Sequence, residues 1–166
     1  MKKAFSLVEL LIVAAVIGIL AAMAMPLFQD HVSNAREAAA KENLRILRSI
    51  IELYAAQHKD APPGYSNSDI SGTPSTINAM FQIIYATNEL GQYAQPGTAG
   101  YDYGPYLKKL PENPYNGDST IFVIPNALYE INAAIGTLGW IYKPATKEIR
   151  LNRDGTDSEG IRYLDY

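Results

Sequence analysis

The sequence predicts an α+β chain. A long N-terminal helix, hydrophobic in its first half and amphipathic in its second, carries a loop-rich middle and a small C-terminal antiparallel sheet. Three observations predict it. Leu10 to Met25 is an unbroken apolar run. Leu27 to His58 holds no Gly or Pro and repeats apolar or small residues every three or four positions. Beyond it, Pro, Gly, Ser, Asn and Tyr separate short β-branched and aromatic runs.

The first helix begins with Lys2 and Lys3. Phe5 to Val8 plus the apolar run make about 21 positions, enough at ~1.5 Å per residue for a ~30 Å hydrocarbon core. The lysines stay cytoplasmic by the positive-inside rule, so the bulk of the chain is exported. A secretory signal peptide would share the lysines, the apolar run and an Ala22-Met23-Ala24 cleavage site. Two features weigh against that, and against a plain signal anchor. Glu9 puts a carboxylate at the head of the run, costing roughly 2–3 kcal/mol unless partnered. The helical pattern also continues past Pro26, which removes a donor and predicts a kink or melted turn over residues 22–26, not a helix end.

From Leu27 to His58, the expected buried face is Phe28, Val32, Ala35, Ala39, Ile46 or Leu47, Ile50 and Tyr54. Asp30, Arg36, Glu37, Lys41, Glu42, Arg45, Arg48 and Glu52 make the opposite, solvated or subunit-facing side, with Glu37–Lys41 and Glu42–Arg45 as helix-compatible pairs. His31 and His58 read as surface residues. A helix from Phe5 to His58 is about 80 Å long, so its exported half needs the remaining chain as cover.

Pro62-Pro63-Gly64 stops that helix, and residues 66–75 read as loop. Thr76 to Leu90 predicts a second helix, capped by Ser75 or Thr76, with Ile77, Met80, Phe81, Ile84 and Tyr85 inward and Gly91 as terminator. Tyr93, Tyr101, Tyr103 and Tyr106 follow among glycines, to pack the domain edge or a neighbouring subunit. Residues 106–111 read as a short helical turn or loop, and Asn116-Gly117-Asp118 as a turn. Thr120 to Ile124 is a strand candidate. Residues 139–143 and 147–152, joined by Pro144-Ala145-Thr146, read as a hairpin with Trp140, Tyr142, Ile149 and Leu151 for packing.

Composition narrows the function. Of 166 residues none is Cys and two are His, which leaves no thiolate zinc, iron–sulfur, disulfide or thiol chemistry. The net charge of −3, without Lys/Arg runs, does not favour nucleic acid as a partner. A membrane-anchored enzyme would need a nucleophile–base pair, a nucleophile elbow or a phosphate-cradling loop, and no such pattern occurs.

Lys3-Ala4-Phe5-Ser6-Leu7-Val8-Glu9-Leu10-Leu11-Ile12-Val13, with Pro26 further on, closely resembles the prepilin cleavage and methylation motif of type IV pilins and type II secretion pseudopilins. That resemblance implies a leader over residues 1–4, cleavage between Ala4 and Phe5 by a prepilin peptidase, and N-methylation of Phe5. It makes Glu9 the assembly residue and Pro26 the helix-kinking proline. Where the family prefers Gly before the cut, this chain has Ala4. Physically, the Phe5 ammonium of a neighbouring copy would neutralise Glu9 in lipid and set the register between helices.

The implied organisation is a leader (1–4), a transmembrane and filament-core helix (5–26), an amphipathic stalk helix on the globular domain (27–58), a loop-rich region with a short helix (59–118), and a β-sheet domain with a C-terminal loop (119–166). Loss of Lys2 and Lys3 with the leader takes the charge from −3 to −5. The expected function is a structural filament subunit, not an enzyme. It is a type II secretion pseudopilin or, alternatively, a type IV pilin acting in adhesion, motility or DNA uptake. Expected partners are further copies in a homopolymer, the prepilin peptidase, the membrane, and an inner-membrane assembly platform with its ATPase. The chain would sit in the inner membrane before assembly, then in a periplasmic pseudopilus or an extracellular filament.

Residues 113–117, the Trp140 hairpin and the Asp-Gly-rich end resemble, more loosely, the globular part of major pseudopilins. Those proteins bind calcium near their last strands, which implies a calcium site here. Arg153 to Gly160 gathers three carboxylates on a glycine-bearing loop. Asp154 and Asp157 are the candidate ligands, with Asp118 as a third. The competing expectation is an acidic loop whose aspartates cap their own turns.

Overall fold

The computed structural model describes residues 6–125, 130–135 and 137–166, with the side chains of residues 24–29 outside that set. The fold is α+β, as expected. Helix α1 spans Leu7–Gln57 and α2 spans Thr76–Ile84. Strands β1 (Ala86–Thr87) and β2 (Tyr93–Ala94) form an antiparallel pair. Strands β3 (Ile121–Val123), β4 (Trp140–Lys143) and β5 (Glu148–Leu151) form a three-stranded sheet in that order. The chain divides into two units, Met1–Arg36 and Glu37–Tyr166.

In the first unit the described large apolar side chains from Leu7 to Met23 are all exposed, from 50% at Val16 to 79% at Leu7. A helix apolar on every side has no polar face to give to water, so it calls for lipid or other helices. Among the described residues no helix is long and apolar enough to cross a membrane; the described apolar side chains stop at Met23. The backbone stays helical through position 26, so the proline does not end the helix. The Pro26 side chain, and Ala4 and Phe5 entirely, lie outside the described residues.

In the second unit the buried residues of α1 are Glu37, Ala40, Leu44, Leu47, Ile50, Ile51, Tyr54 and Ala55, with His58 just past its end. Among them the stripe Glu37, Ala40, Leu44, Leu47, Ile51, Tyr54 and His58 alternates spacings of three and four, a seven-residue repeat. It differs from the expected face at both ends. Ala39 is exposed and Ala40 inward, while Glu37 and His58 are buried polar residues. His58 is not a surface residue: its ring stacks on Tyr54 with centroids 3.9 Å apart and meets Tyr103 edge-on at 5.2 Å. The 2.8 Å contact from Nδ1 to the Tyr54 carbonyl assigns the ring proton to Nδ1. The Glu42–Arg45 pair forms as expected, at 2.7 Å.

The stripe packs on one face of the sheet, through Ile121, Val123, Trp140, Tyr142, Ile149 and Leu151. Trp140 is fully buried, and its indole N–H donates to the Pro111 carbonyl at 2.9 Å. The β4–β5 hairpin has the expected strands and pairs Trp140 with Leu151 and Tyr142 with Ile149. The sheet is mixed, because β3 runs parallel to β4. Residues 124–139 supply the dozen or more residues such a crossover needs. The other face is also covered: Ile141 packs with Ile124, Ile131 and Leu164. Hence all four residues of β4 are buried.

Ser75 caps α2, its hydroxyl accepting from the Asn78 N–H at 3.2 Å. The helix ends at Ile84, six residues before the expected end at Leu90, because Tyr85 turns extended and the chain enters β1. Gly91 serves the β1–β2 turn instead: its N–H donates to the Asn88 carbonyl at 2.8 Å. With φ at +69°, a Cβ there would fall 2.4 Å from the Tyr54 hydroxyl, so only glycine fits. The inward face of α2 is Ala79, Gln82 and Ile83, while the expected Ile77 is 60% exposed.

Candidate functional site

Ser6-Leu7-Val8-Glu9 has the spacing of a capping box. The backbone N–H groups of Glu9 and Leu10 donate to the Ser6 carbonyl at 3.1 and 3.2 Å, and the Ser6 N–H reaches Glu9 Oε2 at a long 3.5 Å. Glu9 therefore sits in the first turn of α1, where the helix dipole favours a carboxylate. The carboxylate is exposed among exposed Leu, Val and Ile side chains, and among the described residues no cation pairs with it. This is an exposed carboxyl group at a helix head, surrounded by apolar surface.

The three candidate metal ligands are each drawn to donors within the chain. Asp118 Oδ1 accepts from the Thr120 N–H at 2.6 Å and the Gly139 N–H at 3.2 Å, tying the start of β3 to that of β4. Those backbone donors, Thr120 first, hold its pKa below the usual carboxylate value. Asp154 Oδ1 accepts from the Ala134 N–H at 3.2 Å. Asp157 Oδ1 accepts from the Glu159 and Ile161 N–H groups at 2.9 and 2.8 Å. Its Oδ2 accepts from the Tyr166 hydroxyl at 2.8 Å and the Lys41 ammonium at 3.3 Å. Among the described residues no group of three His, Cys, Asp or Glu side chains comes together to hold a metal. The structure does not assemble Asp118, Asp154 and Asp157 into one ligand set; they act as turn and loop caps.

Asp157 belongs instead to a clamp that sequence reasoning missed. Glu37 Oε1 accepts from the Ser158 N–H at 3.2 Å, and Oε2 from its hydroxyl at 3.0 Å. Lys41 bonds Asp157 and lies over the Tyr166 ring, 4.5 Å from its centroid. Two residues expected on a solvated face thus hold the C-terminal loop to α1. Burial works against ionisation of Asp157, but its hydrogen bonds from Tyr166, Ile161, Glu159 and Lys41 outweigh it and keep the pKa low. Burial, and the bond to Asp157, push the Tyr166 phenol well up. Arg48 adds bonds to the carbonyls of Ile149, at 3.2 Å, and Tyr166. The seven-residue repeat, extended one step N-terminal from Leu44, falls on Glu37. That is the signal by which the clamp was findable.

Comparison with known proteins places both parts. Residues 1–25 match the family model described as the prokaryotic N-terminal methylation motif. A fimbrial protein of Pseudomonas aeruginosa is 32% identical over 114 residues, covering 64% of this chain and 74% of that relative. A type IV major pilin protein of Neisseria gonorrhoeae is 32% identical over 81 residues, 49% of each chain. A type IV major fimbrial protein of Dichelobacter nodosus is 34% identical over 84 residues, 47% of this chain and 52% of its own. No solved structure matches. The likeness to the Pseudomonas protein extends well beyond the methylation motif and covers most of that relative, so the chain belongs to the type IV pilin family, a structural subunit of a pilus filament and not an enzyme.

Proposed function

We propose that the chain is made as a prepilin, cut between Ala4 and Phe5, N-methylated at Phe5, and held in the inner membrane by residues 5–26 until it polymerises. The observation that carries this is the first unit itself: a helix exposed and apolar on every side, with Glu9 anchored at its head and unpaired by any described cation. Glu9 is the acceptor for the Phe5 ammonium of an adjacent copy, and Pro26 lets the helix bend as it packs. Ala14, Ala15, Gly18, Ala21 and Ala22 let neighbouring helices approach closely. A prepilin peptidase makes the cut, and an assembly platform with its ATPase drives insertion.

Two filament types fit this scheme. We read the filament as an extracellular type IV pilus, because the relatives carry the names fimbrial protein and type IV major pilin. The second reading, a type II secretion pseudopilin, rests on the 113–117 turn and the Trp140 hairpin. Asp118, Asp154 and Asp157 each accept hydrogen bonds from in-chain donors, so neither reading rests on calcium. Mass spectrometry of the filament protein tests the scheme: a mass fitting methyl-Phe5 is expected, and an intact Met1 or a start at Met25 contradicts it. Deletion separates the two readings. Loss of surface filaments with protein secretion intact marks a pilus, and the reverse marks a pseudopilus.

A further inference from the structure

A groove runs beside α2, on the face that carries Asn78 and Phe81, three residues apart, and Tyr85 follows just past the helix end. It consists of two cavities of about 220 and 250 Å³ that share Tyr93 as a wall. Each is below the roughly 300–1,000 Å³ of ordinary ligand pockets, so an occupant lies across both, over Tyr93.

The two ends differ in chemistry. At one, Phe81, Tyr85 and Tyr93 form a cup. Phe81 lies 5.3 Å from each tyrosine ring by centroid, and the two tyrosines are 6.3 Å apart. At the other, Asn78 Nδ2 donates to the Ser66 hydroxyl at 2.9 Å and Gln92 Nε2 donates to Asn67 Oδ1 at 2.9 Å. These bonds fix the amides in place and leave Asn67 Nδ2 and Asn78 Oδ1 without a partner among the described residues. Gln95 borders the aromatic end. No Lys, Arg, Asp or Glu lines either cavity, in a chain whose residues are 19% charged.

We propose that this groove binds a neutral oligosaccharide. Aromatic faces take the C–H faces of a sugar ring, and fixed amides serve hydroxyls that both donate and accept. An acidic sugar, a phosphate or a carboxylate would find no cation. Single-stranded nucleic acid also stacks on aromatic rings, but it needs a basic groove along its backbone, which is absent. The proposal stands apart from the choice between pilus and pseudopilus.

The test uses the full chain in a phosphocholine detergent, whose headgroup carries no sugar, on an array of neutral and acidic oligosaccharides with oligothymidylate alongside. Retention on neutral glycans is expected. Tyr93→Ala weakens it about tenfold, the scale of one lost ring contact. Tyr93 also packs on Phe81 and Tyr85, so the melting temperature of the variant is measured alongside and the loss is read on folded protein. Gln95→Ala, at an exposed position, weakens binding of the same glycans without touching the fold. The proposal is overturned by no retention on any neutral glycan, by retention of acidic glycans or oligothymidylate alone, or by neutral binding that both variants leave intact.

Discussion

Gln82 is the buried group whose removal should be felt most clearly. Its Oε1 accepts from the Gly64 N–H at 2.7 Å, and its Nε2 donates to the carbonyls of Tyr65 at 2.9 Å and Gly91 at 2.7 Å. One side chain on α2 thus satisfies three backbone groups from two loops. Gln82→Met keeps the length and removes all three bonds. A buried backbone group left unpaired costs about 1–3 kcal/mol, and loop groups partly recover by turning to water, so the expected loss is roughly 3 kcal/mol. At about 2–4 °C per kcal/mol for a chain of this size, the melting temperature falls by about 6–12 °C. Gln82→Glu keeps an acceptor for Gly64 but sets a carboxylate against two carbonyls. Its protonated form restores a donor, so its folded-state pKa is raised and its deficit shrinks as pH falls through that value. Near-UV circular dichroism melts and urea titrations with an unchanged slope would measure both variants. A Gln82→Met protein within about 0.5 kcal/mol of the parent would refute the reasoning.

Other expectations follow from the same geometry. Asp157→Asn places an amide where four donors converge, so the loop from Ser158 to Tyr166 should be cut faster in limited proteolysis while the Trp140 core keeps its melt. An unchanged cleavage rate would remove the clamp. Burial of His58 lowers its pKa, opposed by hydrogen bonds that the ring donates to the Tyr54 and Asn88 backbone. The unfolded chain then binds a proton that the folded one refuses, so stability is full above about pH 6.5 and declines as pH falls toward the depressed folded value. Urea midpoints at about pH 7.5 and 5.5 should differ in the parent and converge in His58→Phe, which keeps a ring against Tyr54. Equal shifts in both proteins would exonerate His58.

Much of the fold was legible because periodicity reports burial directly. The Trp140–Leu151 hairpin, the 116–118 turn and the continuation of α1 past Pro26 all follow from apolar spacing and turn chemistry, whereas the melted turn expected over residues 22–26 does not form, because the backbone is helical there. Failures cluster where a polar residue is buried by a distant partner. Glu37 and Lys41 read as solvated because their partners, Ser158 and Asp157, lie more than a hundred residues away. His58 read as surface because its cover, Tyr103, comes from a loop that carries no period. The α2 boundary was missed for a related reason: residues 86–87 have helix-compatible neighbours, and only pairing with Tyr93–Ala94 draws them extended.

The aspartates teach the complementary lesson. Asp154 and Asp157 on a glycine-bearing loop, with Asp118, look like a cation site in one dimension. In three dimensions, backbone N–H groups of Thr120 and Gly139 bond Asp118, that of Ala134 bonds Asp154, and those of Glu159 and Ile161 bond Asp157. Composition signals the supply of acceptors and cannot show the demand. For a domain with no cysteine, the Glu37–Lys41–Asp157–Tyr166 clamp is what ties the chain's last loop to its helix.

The central claim is that the subunit polymerises through its N-terminal helix, with Glu9 as the acceptor that a neighbouring copy must fill. Glu9→Ala tests it most directly, by quantifying the protein in the membrane fraction and imaging surface filaments by electron microscopy in the same cells. Membrane levels equal to the parent with filaments absent is the predicted result. Normal filaments from Glu9→Ala cells would contradict it.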